Sequence, residues 1–300
     1  MKLNDFLLLA AMCFVWGLNV VVSRWVVYDM GVPPLFFAGM RFIGVVLVLF
    51  MYLRPIPGQL KMLFLVSMFM GAAHFALLYR GLVDAEASAA SVISQLGVPI
   101  MTLLSVMFLG EVVGWRRGVG IVLAFAGSLV IAIDPTSFSL SFGLIYITGG
   151  VFLSSIGAIL MKKMTPMNAL QMQAWIGLIS FAPLFLLSGL TEPNALQIWI
   201  NGGAWVWAAT AFAVLGVSVF AHGGFYVLLK KYDVSLLSPL TLMMPIWGVG
   251  LSVLLLGERL SLQLIVGSVI ALSGVFIILV RPNKTMPEAA LGAKVRGTKP

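Results

Sequence analysis

The amino-acid sequence predicts an all-α integral membrane protein, with ten transmembrane helices arranged as two inverted five-helix repeats. Three observations lead to this fold class. First, only 9% of the 300 residues are charged and 61% are hydrophobic, with a mean hydropathy of +1.09. A soluble domain has roughly a quarter of its residues charged, so a water-soluble core cannot hide this much apolar surface. Second, apolar stretches of about 20 residues, the length that crosses a bilayer as a helix, recur ten times. Third, the two halves of the chain match at a constant offset. Adding 147 carries Tyr79 to Tyr226, Ser88 to Ser235, Ser91 to Ser238, Ser105 to Ser252, Gly110 to Gly257, Glu111 to Glu258 and Gly127 to Gly274.

The ten spans are read approximately over 5–28, 35–53, 61–82, 87–109, 116–134, 143–162, 169–189, 204–230, 235–256 and 262–281. The first follows only Lys2 and Asp5, is longer than the apolar part of a signal peptide and lacks a small-residue cleavage site, so it is expected to stay as a helix. Trp16 and Asn19 fall in its middle. The second span carries Arg41, about 9 Å from its start at 1.5 Å per residue, deep enough to require snorkelling or a partner. An ion pair or a clamp on main-chain carbonyls is the expectation there, with a site for a solute carboxylate as the alternative. The third span holds His74 and Tyr79, and an ionisable group inside a membrane is a functional candidate by default.

The fourth span places Ser88, Ser91, Gln95, Pro99 and Thr102 at intervals of three and four, one polar stripe on an otherwise lipid-compatible helix. It closes on Gly110-Glu111. The fifth carries Gly120, Ala124 and Gly127, small residues on one face that let a second backbone approach closely, and Pro135 then stops it. Residues 1–134 form the first repeat and 135–142 a linker.

The second repeat, 143–281, begins with a span holding Ser154 and Ser155 near its centre. The seventh carries Gln173, which pairs with Arg41 at an offset of 132, so the repeat needs an insertion, placed around Thr191 to Trp205. The eighth span holds His222 and, on the same face, Tyr226. In the ninth the stripe returns as Ser235, Ser238, Thr241, Pro245, Gly248 and Ser252, with Met243, Met244 and Trp247 as adaptable apolar neighbours. Pro99 and Pro245, near the centres of their spans, free carbonyls that membranes tolerate only within protein or beside a water-filled cavity. Gly267, Ala271 and Gly274 mark the tenth span, Pro282 ends it, and 282–300 reads as a disordered basic tail.

An odd number of spans per repeat forces the second copy to enter from the other side. Lysine and arginine give the orientation: with the N-terminus inside, 14 of the 18 cations fall on the cytoplasmic side, among them Lys2, Arg54, Lys61, Lys162, Lys163 and Lys231. Both termini are thus expected in the cytoplasm of a plasma membrane, the bacterial inner membrane. The net charge of +8 follows from topology and requires no nucleic acid. Cys13, the single cysteine, excludes an intrachain disulfide and a cysteine-rich metal site. No metal or cofactor is expected, and the partners are the lipid bilayer and a small solute.

Val15-Trp16-Gly17-Leu18-Asn19, then Pro33-Pro34-Leu35 and Ala38-Gly39-Met40-Arg41-Phe42, resemble the first two helices of the EamA family of the drug/metabolite transporter superfamily. Ser238-Pro239-Leu240, Pro245 and Leu256-Gly257-Glu258-Arg259-Leu260 resemble its ninth helix and exit. The resemblance covers residues 5 to 281 and departs from the pattern at Gly110-Glu111-Val112-Val113, which lacks the Arg-Leu of the second copy. It implies small-metabolite transport, commonly export of amino acids and their derivatives; weak, adaptable contacts suit a broad selectivity that includes neutral and aromatic amino acids. Such internal symmetry also points by itself to a secondary transporter with its site between the repeats. The pathway residues expected on these grounds are Trp16, Asn19, His74, Tyr79, Ser91, Gln95, Pro99, Ser155, His222, Tyr226, Ser238, Thr241, Pro245 and Trp247. No span contains an embedded carboxylate, so uncoupled efflux is expected, with proton coupling through a histidine as the alternative. An enzyme using Ser218 and His222 is the competing class, and one helical Ser/His pair is weak support for it.

Overall fold

A computed structural model describes residues 1–54, 56, 58–133, 140–165, 167–229, 231–232 and 234–280, the side chains of Tyr226, Val234 and Ser235 excepted. Among the described residues, ten helices are long and apolar enough to cross a membrane: α1 Leu3–Asp29, α2 Pro34–Tyr52, α3 Leu60–Asp84, α4 Ala87–Leu109, α5 Trp115–Ala132, α6 Phe142–Met161, α7 Ala169–Thr191, α8 Gly203–Leu229, α9 Leu236–Leu256 and α10 Leu262–Leu279. Pro135, most of the expected linker, Pro282 and the expected tail lie outside the described residues. The inserted residues of the second repeat form a short helix, Ala195–Asn201, whose Trp199 is buried against Phe36 and Trp207.

The helix partners obey the inversion. α1 packs on α8 and α9, and its counterpart α6 packs on α3 and α4; α2 pairs with α7, and α5 with α10. The α5–α10 seam is built from the small residues that the sequence repeats. A methyl group on Gly127 would meet the Ala271 nitrogen and Gly267 oxygen, and one on Gly274 would meet the Ala124 nitrogen and Gly120 oxygen. Backbone touches backbone there, which is how helices associate where lipid removes the hydrophobic incentive.

The matched helix ends have a common geometry. Gly110 and Gly257 adopt φ of +66° and +68°, and the amides of Glu111 and Glu258 fold back to the carbonyls of Ser105 and Ser252 at 3.4 Å. Glycine takes this left-handed position without strain and so closes a helix with its last carbonyls satisfied. The repeated Ser, Gly and Glu therefore mark one structural device used twice.

The bundle has two dissimilar faces. One carries Lys2, Arg54, Lys61, Lys162, Lys163 and Lys231. It is laced by Lys231–Asp5 at 3.1 Å, Lys162–Glu111 at 3.8 Å, and the Trp175 indole donating to the Arg54 carbonyl. On the opposite face, carboxylates of the second repeat cap helices of the first. Glu258 accepts from the amides of Ala87 and Ser88 at 2.7 and 3.0 Å, and Glu192 from those of Leu35 and Phe36 at 2.8 and 2.9 Å. Each meets amides that have no partner within their own helix and the positive end of its dipole. Arg24 donates to the carbonyls of Leu82 and Val83 and lies over the Tyr28 ring, not on Asp29. Glu86 sits beside them. Partial burial first, and the charge of Glu258 second, push its carboxyl above the usual range, while Arg24 pulls it back.

Candidate functional site

Helices α3 and α8 are not α-helical throughout. Each passes through a π segment, Met68–Ala73 in one and Phe212–Ala221 in the other, and each segment ends at a histidine, His74 or His222. A π turn widens the helix, leaves carbonyls poorly served and recurs at functional sites. Only His222 uses such a group; His74 reaches a carbonyl of the neighbouring helix. The Nδ1 of His74 donates to the Gly150 carbonyl of α6 at 2.9 Å, and the Nδ1 of His222 donates to the Val217 carbonyl of its own helix at 2.7 Å. A carbonyl only accepts, so the neutral ring carries its proton on Nδ1 and keeps Nε2 as an acceptor.

The histidines line a cavity of about 310 Å³ between the repeats, bounded also by Trp16, Asn19, Arg41, Phe75, Ser94, Gly97, Met101, Ser154, Ser155 and Met244. Five of the pathway residues expected from sequence are therefore brought together: Trp16, Asn19, His74, Ser155 and His222. Tyr79 stands one step behind the wall, accepting from the Arg41 guanidinium at 3.0 Å. The Tyr226 side chain, like that of Ser235, lies outside the described residues.

The polar stripe of α4 is aimed differently from its expected run. A 3-10 segment, Ser94–Leu96, interrupts this helix, and its three residues per turn rotate the downstream residues relative to a continuous α-helix. Ser94, Gly97 and Met101 face the cavity, while Ser91, Gln95 and Pro99 are not among its walls. Ser91 packs against Gly248, where a methyl group would sit 2.2 Å from its hydroxyl, and Gln95 donates to the Met244 sulfur at 3.8 Å. In α9, Thr241 lies at the break between the helical pieces Val234–Leu240 and Met243–Leu256, and its hydroxyl donates to the Ser238 carbonyl. Ser238, Thr241 and Pro245 therefore shape the break and stand outside the cavity wall. Trp247 is 43% exposed and meets Phe14 edge-on at 5.2 Å, on the outside of the bundle.

Arg41 is the residue whose surroundings depart most from expectation. It is 2% exposed and reaches neither an acid nor a main-chain carbonyl among the described residues. Its partners are two hydroxyls, Tyr79 and Ser218 (3.3 Å), and the face of Phe75, 4.4 Å from the guanidinium carbon.

Sequence reasoning missed a second chamber. Met70, Met161, Met164, Met167 and Met172, with Gln173 and Phe225, line a hollow of about 520 Å³ at the lysine-rich face. Met70 and His222 belong to both walls, so the two chambers adjoin. The run Met161, Met164, Met167 was the available signal. Toward the acidic face the packing closes instead: Tyr79, Leu82, Phe37, Ala87, Ala90 and Ile93 are at most 1% exposed. A larger hollow of about 620 Å³ lies on the flank between α4, α5 and α6. Its single hydroxyl, Thr148, is committed to the Leu144 carbonyl, so the walls suit an acyl chain and lack groups to hold a polar solute.

The EamA-like transporter family matches this chain twice, over residues 4–133 and 141–280. The chain belongs to that family. Among curated relatives of this EamA-like protein, a probable amino-acid metabolite efflux pump of Escherichia coli K12 is 27% identical over 288 residues, covering 92% of this chain and 95% of the relative. The Salmonella typhimurium protein of the same description is also 27% identical, with the same coverage. A solved crystal structure superposes with a TM-score of 0.63 over 99% of this chain and all of its own, at 17% identity, which establishes a shared fold. The EamA-like chain is therefore a multi-pass membrane transporter.

Proposed function

We propose that this protein is an inner-membrane exporter of amino acids or related small metabolites, broad in specificity and accepting neutral and aromatic side chains. Solute binds in the central cavity, and the two repeats rock to open it alternately to each side. The observation that carries this reading is the cavity itself, which joins a few convergent polar groups to aromatic and methionine walls at the repeat interface. Small-molecule sites have this composition, and unbranched thioethers tolerate varied shapes. The lysine-rich face, toward which the methionine chamber opens, is taken as cytoplasmic, so the described state receives solute from inside. Counterflow in protein-loaded liposomes with a panel of labelled amino acids, nucleosides and sugars tests the substrate class, and exchange confined to sugars or nucleosides would overturn it. Lys61→Cys and Asn201→Cys, with Cys13 replaced by Ala, test orientation. An impermeant thiol reagent labels the Asn201 position in intact cells and the Lys61 position only after lysis.

Efflux is uncoupled in this reading, because no carboxylate among the described residues lies in the membrane interior and both cavity histidines are engaged by carbonyls. In liposomes the solute gradient then relaxes to equality and an imposed pH difference does not shift that endpoint. The second reading, proton coupling, is favoured by the same two histidines lining the cavity. Accumulation above equality driven by pH, and abolished by His74→Gln or His222→Gln with exchange spared, would establish it. The enzyme reading has less support. Ser218 donates to the Ala213 carbonyl and accepts from Arg41, and His222 turns its Nδ1 to Val217, so the two are not arranged as nucleophile and base.

A further inference from the structure

We infer that Arg41 is the carboxylate anchor of the central cavity, and that the solutes held there are those pairing a carboxylate with an ammonium group. The inference rests on the transport reading of this cavity and adds to it the polar identity of the solute and the residue that recognises it. A charge buried among membrane helices is costly and is normally paired. Yet Arg41 is 2% exposed, makes no ion pair among the described residues, and its Nε is buried with no acceptor. Of the two hydroxyls it meets, Ser218 already gives its own proton to Ala213. Neutral partners leave the charge itself uncompensated, and a planar guanidinium with unused N–H groups is shaped to receive a carboxylate in two hydrogen bonds.

The rest of the wall complements this. Asn19 is 9% exposed and its Oδ1 has no donor, while the two histidine rings, protonated on Nδ1, present acceptors at Nε2. An ammonium group is a pure donor and fits such acceptors. The volume, about 310 Å³, lies at the low end for small-molecule sites and admits a single small solute. Only one repeat carries the charge. The counterpart of Arg41 is Gln173, which lines the methionine chamber, so one anion anchor lies in the central cavity and the chamber beside it is neutral.

The test compares L-phenylalanine and L-leucine with their amides, which keep size and ammonium group but lack the carboxylate. Two readouts are used on the full-length protein: inhibition of counterflow in liposomes, and the solute-induced rise in Tm of the purified protein. The acids are expected to act at concentrations about 10- to 100-fold lower than the amides, the equivalent of a charge-assisted hydrogen bond. In Arg41→Gln this ratio falls to about one, and Arg41→Lys keeps an intermediate ratio. Equal potency of acid and amide on the wild type would overturn the inference even if Arg41→Gln does not fold. Acid-selective stabilisation without any flux would instead defeat the transport reading and leave the anchor standing.

Discussion

Helices α3 and α8 occupy equivalent places in the two repeats, and each reaches the cavity through a π segment that ends at a histidine, yet they meet their neighbours by different means. α3 is fastened to α6 through glycine. A methyl group on Gly143 would fall 2.7 Å from the Gly81 oxygen and one on Gly150 2.9 Å from the His74 oxygen, while one on Gly157 would meet the Met70 side chain and, at 3.2 Å, its main-chain nitrogen. His74 adds an interhelical hydrogen bond to Gly150. α8 meets α1 through side chains: Gly224 faces the Met12 sulfur, Trp16 stands edge-on to His222 and Phe225 at 5.5 Å, and the His222 bond stays within its own helix. Backbone contacts have one good geometry, whereas a thioether and aromatic edges have several. Sequence symmetry thus produced one rigid seam and one adaptable seam around the same cavity.

The sharpest way to break this comparison is to add one methyl group to each seam. Gly150→Ala puts a Cβ against main chain and is expected to cost about 1–3 kcal/mol, while Gly224→Ala meets only the movable end of Met12 and should cost less than about 1 kcal/mol. Thermal unfolding in detergent reads both, and equal losses would erase the distinction.

A smaller effect is expected at the acidic face. Glu258→Ala removes the cap from two amides of α4 and should lower stability by about 1 kcal/mol. Glu192→Ala, which uncaps α2 in the same way, should match it. A neutral result for either would show that water serves those amides equally well.

The histidines sharpen the comparison further. His74→Gln gives up a bond between helices, worth about 0.6 kcal/mol in membrane bundles. His222→Gln gives up a bond inside one helix and should leave the Tm nearer to wild type. The reverse order would place the rigid seam at α8.

The smallest effect concerns Glu86. Its carboxyl is held above the usual range by partial burial and by Glu258. Its contribution is therefore complete below the ordinary glutamate pKa and is lost as pH rises through the raised value. Glu86→Gln should remove that pH dependence and change stability at neutral pH by less than about 0.5 kcal/mol, since burial is only partial and solvent still screens the charge. A Tm that rises with pH across this window in the wild type, and not in the variant, would reverse the sign.

Much of the fold was legible in the sequence because its causes are local. Span length, the Gly-Glu helix ends and the small-residue faces of α5 and α10 each follow from a few neighbouring residues, and the constant offset of 147 implied the inversion once each repeat held five spans. The presence of Trp16, Asn19, Ser155 and the two histidines inside their spans was readable for the same reason. Which polar groups face the cavity was decided by the tertiary structure. In α4, Ser94, Gly97 and Met101 face inward in place of Ser91, Gln95 and Pro99, and since both sets recur at helical spacing the period alone does not choose between them. The glycines of α6 lie seven apart, a spacing that reads as ordinary until α3 is laid against them. The unpaired state of Arg41 likewise depends on Tyr79, Phe75 and Ser218, residues 34 to 177 positions away in the chain. Sequence determines what each helix is, through interactions that span a turn or two; how each helix is rotated against its neighbours is determined by contacts that exist only once the bundle has closed.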